Sequence, residues 1–167
     1  AHSWVQSFDN EYEAFKTYAK TYPDNCVFLV DTYNTLKSGI PNAIKVFKEC
    51  KPKNMGIRID SGDVAYLTKK ARQMLDDAGL KDCTIMVSNS LDEYLIREVL
   101  SQGACIDAFG VGERLITAKS QPVFGGVYKL AAIEKNGKII PKIKVSENVD
   151  KITTPGVKKL YRIYDKK

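Results

Sequence analysis

Met55-Gly56-Ile57-Arg58-Ile59-Asp60-Ser61-Gly62-Asp63 is an apolar run that stops abruptly at acids, a hydroxyl and a glycine. Met55–Ile59 reads as a buried strand emptying into a loop. Side chains alternate along a strand, so Arg58 and Asp60 share one face. A helix over Asp63–Ala78 follows, because Val64, Leu67, Ala71, Met74 and Leu75 recur at helical spacing. Gly79 stands where a helix C-cap favours glycine.

The same grammar repeats on both sides. Upstream, Asn10–Thr21 reads as a helix with Tyr12, Phe15, Tyr18 and Ala19 on one face, broken by Pro23-Asp24-Asn25. Cys26–Val30 is a short strand that ends at Val30-Asp31-Thr32-Tyr33. Gly39–Glu49 is a helix with Ile40, Ala43, Ile44 and Phe47 aligned. Downstream come the strand Thr84–Val87, the helix Asp92–Ser101 with Leu95, Ile96, Val99 and Leu100 inward, and the strand Cys105–Phe109 running into Gly110-Val111-Gly112. Strand and helix thus alternate four times, the pattern of right-handed βαβ units around a parallel sheet. A closed (β/α)₈ barrel takes about 250 residues, so four units amount to half a barrel. After Gly112 the pattern changes. Val123–Glu134 and Lys138–Val145 read as antiparallel strands joined at Lys135-Asn136-Gly137, a hairpin signal. Pro155-Gly156 marks a further turn before an apolar run at Leu160–Tyr164. The expected organisation is a partial α/β barrel over 1–120 and a small β-rich segment over 121–167.

The chain has 167 residues, 44% hydrophobic and 28% charged, which suits a domain with a real core and argues against disorder. No apolar stretch approaches the roughly 20 residues that span a bilayer, and no secretory leader or transit peptide is visible. The opening Ala1-His2-Ser3-Trp4 lacks a methionine, as a fragment or a processed chain would. Cys26, Cys50, Cys83 and Cys105 form no Cys-x-x-Cys pair and read as reduced structural thiols, which fits the cytoplasm. The net charge of +6 is uneven. Residues 129–167 hold eleven basic and four acidic side chains, leaving +7, and residues 1–128 hold fifteen and sixteen, leaving −1. Lysine dominates the tail and aromatics are not regularly interleaved, so it reads as a solvated hairpin surface rather than a nucleic-acid site.

The carboxyl ends of parallel strands are where ligands bind in such folds. Arg58 either grips a carboxylate through its planar fork or pairs internally with Asp60. Asp60 suits sugar hydroxyls. Ser61 and Gly62 are expected to start the next helix, whose free N–H groups favour an anion. Asp31 either caps a helix start, orients a histidine or holds a magnesium-bound pyrophosphate. Gly110 and Gly112 allow backbone to approach a phosphate closely. His2 is the only histidine. Held by a carboxylate at one nitrogen, it could act as a nucleophile at the other. Hydrolase triads, metal-ligand spacings and Walker-type loops are not found.

Six strings carry a resemblance: Ala1-His2-Ser3-Trp4-Val5, Val30-Asp31-Thr32-Tyr33, Gly56–Asp63, Ser88-Asn89-Ser90-Leu91-Asp92-Glu93, Phe109-Gly110-Val111-Gly112 and Gly126-Val127-Tyr128-Lys129-Leu130. In order and spacing they resemble the middle to C-terminal part of the nicotinate phosphoribosyltransferases. The resemblance implies half of the TIM-like barrel of type II phosphoribosyltransferases, followed by β structure. It implies formation of nicotinate mononucleotide and pyrophosphate from nicotinate and phosphoribosyl pyrophosphate with ATP hydrolysis, a step of NAD salvage. Magnesium and ATP as co-substrate, no tightly bound cofactor and a homodimer are implied too, with no role for nucleic acid or membrane. Residue by residue, His2 matches the histidine that ATP phosphorylates and Asp31 the acid near it. Arg58 matches an arginine at the nicotinate site, Asp60 an acid at the ribose hydroxyls, and Gly110 and Gly112 the 5′-phosphate loop. Asn89 matches a strand-end position on the same rim. Family members commonly have threonine where Glu113 stands. Glu113 either points away, with Arg114 taking over, or marks altered phosphate contacts. Two alternatives stand beside this reading: a truncated, non-catalytic chain that binds phosphorylated ligands, and a nicotinamide-specific relative.

Overall fold

The computed structural model describes residues 1–145, 147, 149 and 152–165. Two compact units divide it, Ala1–Pro122 and Val123–Lys167.

In the first unit, helices α1 (His2–Gln6) and α2 (Glu11–Thr21) precede strand β1 (Cys26–Leu29). Then come α3 (Ile40–Cys50), β2 (Met55–Ile59), α4 (Val64–Asp77), β3 (Thr84–Ser88), α5 (Glu93–Ser101), β4 (Ala108–Gly110) and the single turn α6 (Glu113–Ile116). The four strands form one parallel sheet in the order β1-β2-β3-β4. All their carboxyl ends therefore open onto the same rim.

Short polar side chains start the helices. Asn10, Asp63 and Asp92 accept the N–H of Glu13, Tyr66 and Leu95, each from the N-cap position. Asp63 thus caps α4, and Ser61 and Gly62 lie before the helix rather than in its first turn, contrary to the sequence reading. A carboxylate already occupies that N-terminus. Ala78 caps its C-terminus and Gly79 follows with φ 80°, the left-handed residue that ends such a helix, with Gly79 N–H on Asp76 C=O at 2.9 Å and Leu80 N–H on Leu75 C=O at 2.8 Å.

One face of the sheet packs on the helices. Phe28 is stacked between Phe15 at 4.5 Å and Phe47 at 4.6 Å, and Ile57, Ile59, Ile85 and Val87 continue the same buried face. Burial pushes the free thiols of Cys26 and Cys83 up to about 12. Between β1 and α3, Thr35–Gly39 makes a π-helical turn, with Gly39 N–H on Asn34 C=O at 2.9 Å. A Cβ on Gly39 would stand 1.8 Å from the carbonyl oxygen of Val30. Glycine there lets α3 close onto the end of β1, next to Asp31.

Several elements depart from the sequence reading. The α4 stripe is turned so that Ala65, Thr68, Ala71 and Leu75 are buried. Helix α5 buries no residue fully, and Leu100 is 47% exposed: α5 packs beside α4, and among the described residues the only helix after it is the single turn α6. Strand β4 starts only at Ala108. The Asp107 carboxylate takes the Ile85 N–H at 2.8 Å, while the Asp107 N–H still reaches the Ile85 C=O at 2.9 Å.

In the second unit, β5 (Ala132–Lys135) pairs antiparallel with β6 (Lys138–Pro141) across Asn136-Gly137, both with positive φ. That is the backbone a two-residue hairpin loop requires. The strands are shorter than expected. Past Pro141 the pairing continues in the Lys142 N–H to Ala131 C=O bond at 2.8 Å, but Val123–Leu130 and Leu160–Tyr164 adopt no regular structure. Of the lysine-rich tail, Lys151, Lys166 and Lys167 lie outside the described residues.

Candidate active site

Asp31, Asp60 and Ser88 stand at the carboxyl ends of β1, β2 and β3, and α1 brings His2 over them. The Asp31 side chain is 2% exposed. Its Oδ2 accepts the Asp60 N–H at 2.9 Å and the Ser61 hydroxyl at 2.6 Å. Its Oδ1 is buried with no hydrogen-bond partner and lies 3.9 Å from His2 Nε2. Asp60 Oδ2 lies 3.7 Å from the same nitrogen. The other ring nitrogen, Nδ1, is 3.1 Å from Thr32 Oγ1. Thus a hydroxyl holds one side of the imidazole and two carboxylates flank the other. The sequence reading expected a carboxylate to do the holding. Thr32 was missed, although it adjoins Asp31 in the strand-end string.

Arg58 and Asp60 do share a face. Arg58 Nη2 donates to Asp60 Oδ1 at 2.9 Å, and Arg58 Nε donates to Ser88 Oγ at 2.7 Å. Ser88 Oγ in turn donates to Asp60 Oδ1. Burial pushes the Asp60 carboxyl up, but the Ser88 and Arg58 hydrogen bonds and the charges of Arg58 and His2 outweigh it and hold it below the ordinary aspartate value. The internal pair uses the Nε/Nη2 edge of the guanidinium. The opposite end, Nη1 with the second Nη2 proton, remains for another anion. Arg58 also lines a cleft of about 310 Å³ with Val27, Leu29 and Met86 of its own sheet face, Trp4 of α1, and Phe15 and Phe28 of the main core.

The remaining strand-end residues lie on the same rim. Asn89 and Ser90 both have positive φ, 84° and 51°, and Ser90 Oγ donates to Asn89 Oδ1 at 3.1 Å. Gly110 pairs with Ser88 in register, and a Cβ on Gly110 would sit 3.1 Å from Ser88 Cβ. Gly112 caps α6, and Glu113 is its exposed first residue. Arg114 is committed elsewhere. Its Nη1 donates to Asp92 at the start of α5, where the Leu95 N–H and Arg114 together hold the Asp92 carboxyl low.

Over 98% of its length the chain is 58% identical to nicotinate phosphoribosyltransferase of Bacillus subtilis. The chain is homologous to part of a nicotinate phosphoribosyltransferase. It spans 34% of that relative's length. Nicotinate phosphoribosyltransferase of Dictyostelium discoideum is 42% identical over 93% of the chain and 27% of its own length. The crystal structure of human nicotinic acid phosphoribosyltransferase superposes with a TM-score of 0.55 at 25% identity, over 66% of this chain and 26% of the human one. No family model matches the chain. The α/β fold with a parallel sheet is therefore shared with nicotinate phosphoribosyltransferases.

Proposed function

We propose that this chain is the part of a nicotinate phosphoribosyltransferase that holds the reacting sugar, the activating histidine and one end of nicotinate. The four-stranded sheet, in unbroken order β1-β2-β3-β4, is read as half of a TIM-like barrel, because a doubly wound fold would reverse its strand order. The observation that carries the reading is the meeting of His2, Asp31, Asp60 and Arg58 at one end of that sheet.

The reaction joins nicotinate to phosphoribosyl pyrophosphate, releasing pyrophosphate and giving nicotinate mononucleotide for NAD synthesis, with ATP hydrolysed. The free end of the Arg58 guanidinium takes the nicotinate carboxylate, and the apolar cleft beside it takes the ring. Asp60 faces the ribose hydroxyls and the positive charge that develops as pyrophosphate leaves. Fixing both reactants on one rim supplies most of the orientation that attack by the pyridine nitrogen needs. Gly110 and Gly112 admit the 5′-phosphate, and Asn89 borders the same space. His2 accepts the phosphoryl group of ATP while Thr32 fixes its ring. Glu113 stays in solvent.

Magnesium arrives with the pyrophosphate as part of the substrate. Among the described residues no group of three or more His, Cys, Asp or Glu is placed to hold a metal unaided. Magnesium bound through one or two carboxylates and phosphate oxygens needs less than that, and Asp31 Oδ1 is an unpartnered carboxylate oxygen at the site. We place the parent enzyme in the cytoplasm as a homodimer. No helix among the described residues is long and apolar enough to cross a membrane.

The chain spans about a third of the relative it matches, which favours a second reading in which the 167 residues alone bind ligand without turnover. Incubation with nicotinate, phosphoribosyl pyrophosphate, ATP and magnesium, followed by chromatography, separates the two. The expected result is nicotinate mononucleotide from the polypeptide extended to the family's length. Its absence overturns the proposal, and turnover by the 167 residues alone overturns the second reading.

A further inference from the structure

Arginine and aspartate two residues apart on one strand face would ordinarily close into a bidentate fork, Nε and Nη2 on the two carboxylate oxygens, since that is the strongest geometry open to them. Arg58 and Asp60 do not. Nη2 reaches Asp60 Oδ1 at 2.9 Å, and the Nε position of the fork is filled by Ser88 Oγ at 2.7 Å. Ser88 lies on the neighbouring strand and is 6% exposed. A hydroxyl has one proton to give and lone pairs to receive. Here the proton goes to Asp60 Oδ1 and a lone pair receives the Arg58 Nε–H. No apolar side chain could satisfy both.

We infer that Ser88 is a positioning residue: it wedges the Arg58–Asp60 fork open. Two consequences follow from the geometry. Asp60 Oδ2 is left out of the pair and faces His2 Nε2 at 3.7 Å. The Nε bond holds the guanidinium toward Ser88 while Arg58 lines the apolar cleft of Trp4, Leu29 and Met86. With the wedge removed, Arg58 turns its Nε onto Asp60, the pair closes, and both groups withdraw from their outward partners. Gly110 leaves this place to Ser88, since a Cβ on the glycine would stand 3.1 Å from Ser88 Cβ. The role deepens the function proposed above and rests on Arg58 binding the nicotinate carboxylate.

The test is Ser88→Ala beside Ser88→Thr in the family-length enzyme. Ser88→Ala is expected to raise KM for nicotinate about tenfold, the loss of one charge-assisted contact, with a smaller change in kcat and little in KM for phosphoribosyl pyrophosphate. Ser88→Thr, which keeps the hydroxyl, is expected to restore the nicotinate KM. A crystal structure of Ser88→Ala should show both Nε and Nη2 of Arg58 on Asp60. An unclosed fork, an unchanged KM despite a closed fork, or a Thr variant as impaired as Ala each overturns the wedge. A wild-type enzyme that makes no nicotinate mononucleotide overturns the function instead, and the crystal structure still decides whether the wedge exists.

Discussion

His2 Nε2 lies 3.7 Å from Asp60 Oδ2, so the first helix and the end of the second strand meet at one point on the rim. Replacing His2 by alanine removes the only imidazole in the chain and leaves the buried Asp31 Oδ1 facing nothing. In the family-length enzyme, stimulation of turnover by ATP should vanish while a basal rate survives. ATP dependence equal to wild type would end the assignment of His2 as phosphoryl acceptor.

Arg58→Ala leaves Asp60 without its cation and the nicotinate carboxylate without its grip. A lost hydrogen bond to a charged group is worth about 1.5–3 kcal/mol, so KM for nicotinate should rise about 10- to 100-fold. Initial-rate kinetics with each substrate varied in turn checks this. Equal rises in both KM values would place Arg58 elsewhere.

Acid should weaken the fold partly through two carboxylates. Asp60 and Asp92 are held below the ordinary aspartate value in the folded chain. A lowered folded-state pKa contributes stability that is full above the unfolded value, near about 3.9, and is lost as pH falls through the folded value. Urea midpoints should therefore drop as pH falls below about 4, and less steeply in Asp60→Asn. A variant with the wild-type slope would remove Asp60 from the account.

Gly39→Ala forces a methyl against the Val30 carbonyl, 1.8 Å away in the present packing. Either α3 or the end of β1 must shift, and overpacking of this kind costs about 1–3 kcal/mol. Asp31 directly follows Val30, so the variant should also lose turnover beyond its loss of stability. Denaturation and activity measured on the same preparation test both. A variant as stable as wild type would show that α3 yields without cost.

The parallel sheet was legible because its strands are short continuous apolar runs, as burial on both faces demands, and because each ends in a polar string. Asp31, Arg58 and Asp60 were legible as strand-end residues for the same reason. Ser88 and Thr32 were not, because serine and threonine after an apolar run are common and their partners lie on other strands. The Asp107 carboxylate that takes the Ile85 N–H left no mark in hydrophobic periodicity either. The half-covered α5 and the short β5–β6 hairpin failed for a related reason: apolar spacing proposes a face or a strand, but only a neighbour completes it. Asp63 proved to be the cap of α4, so Ser61 and Gly62, expected to start that helix, lie before it.

The pairing of Arg58 with Met86 and of Ile57 with Ile85 has a genetic consequence. Because alternate residues face opposite sides, one codon inserted or deleted within β2 would carry the guanidinium and the carboxylate through the sheet to the helix layer. Such an indel would abolish chemistry while every functional side chain remained encoded. Lesions of that kind should be as damaging to the enzyme as changing the charged residues themselves.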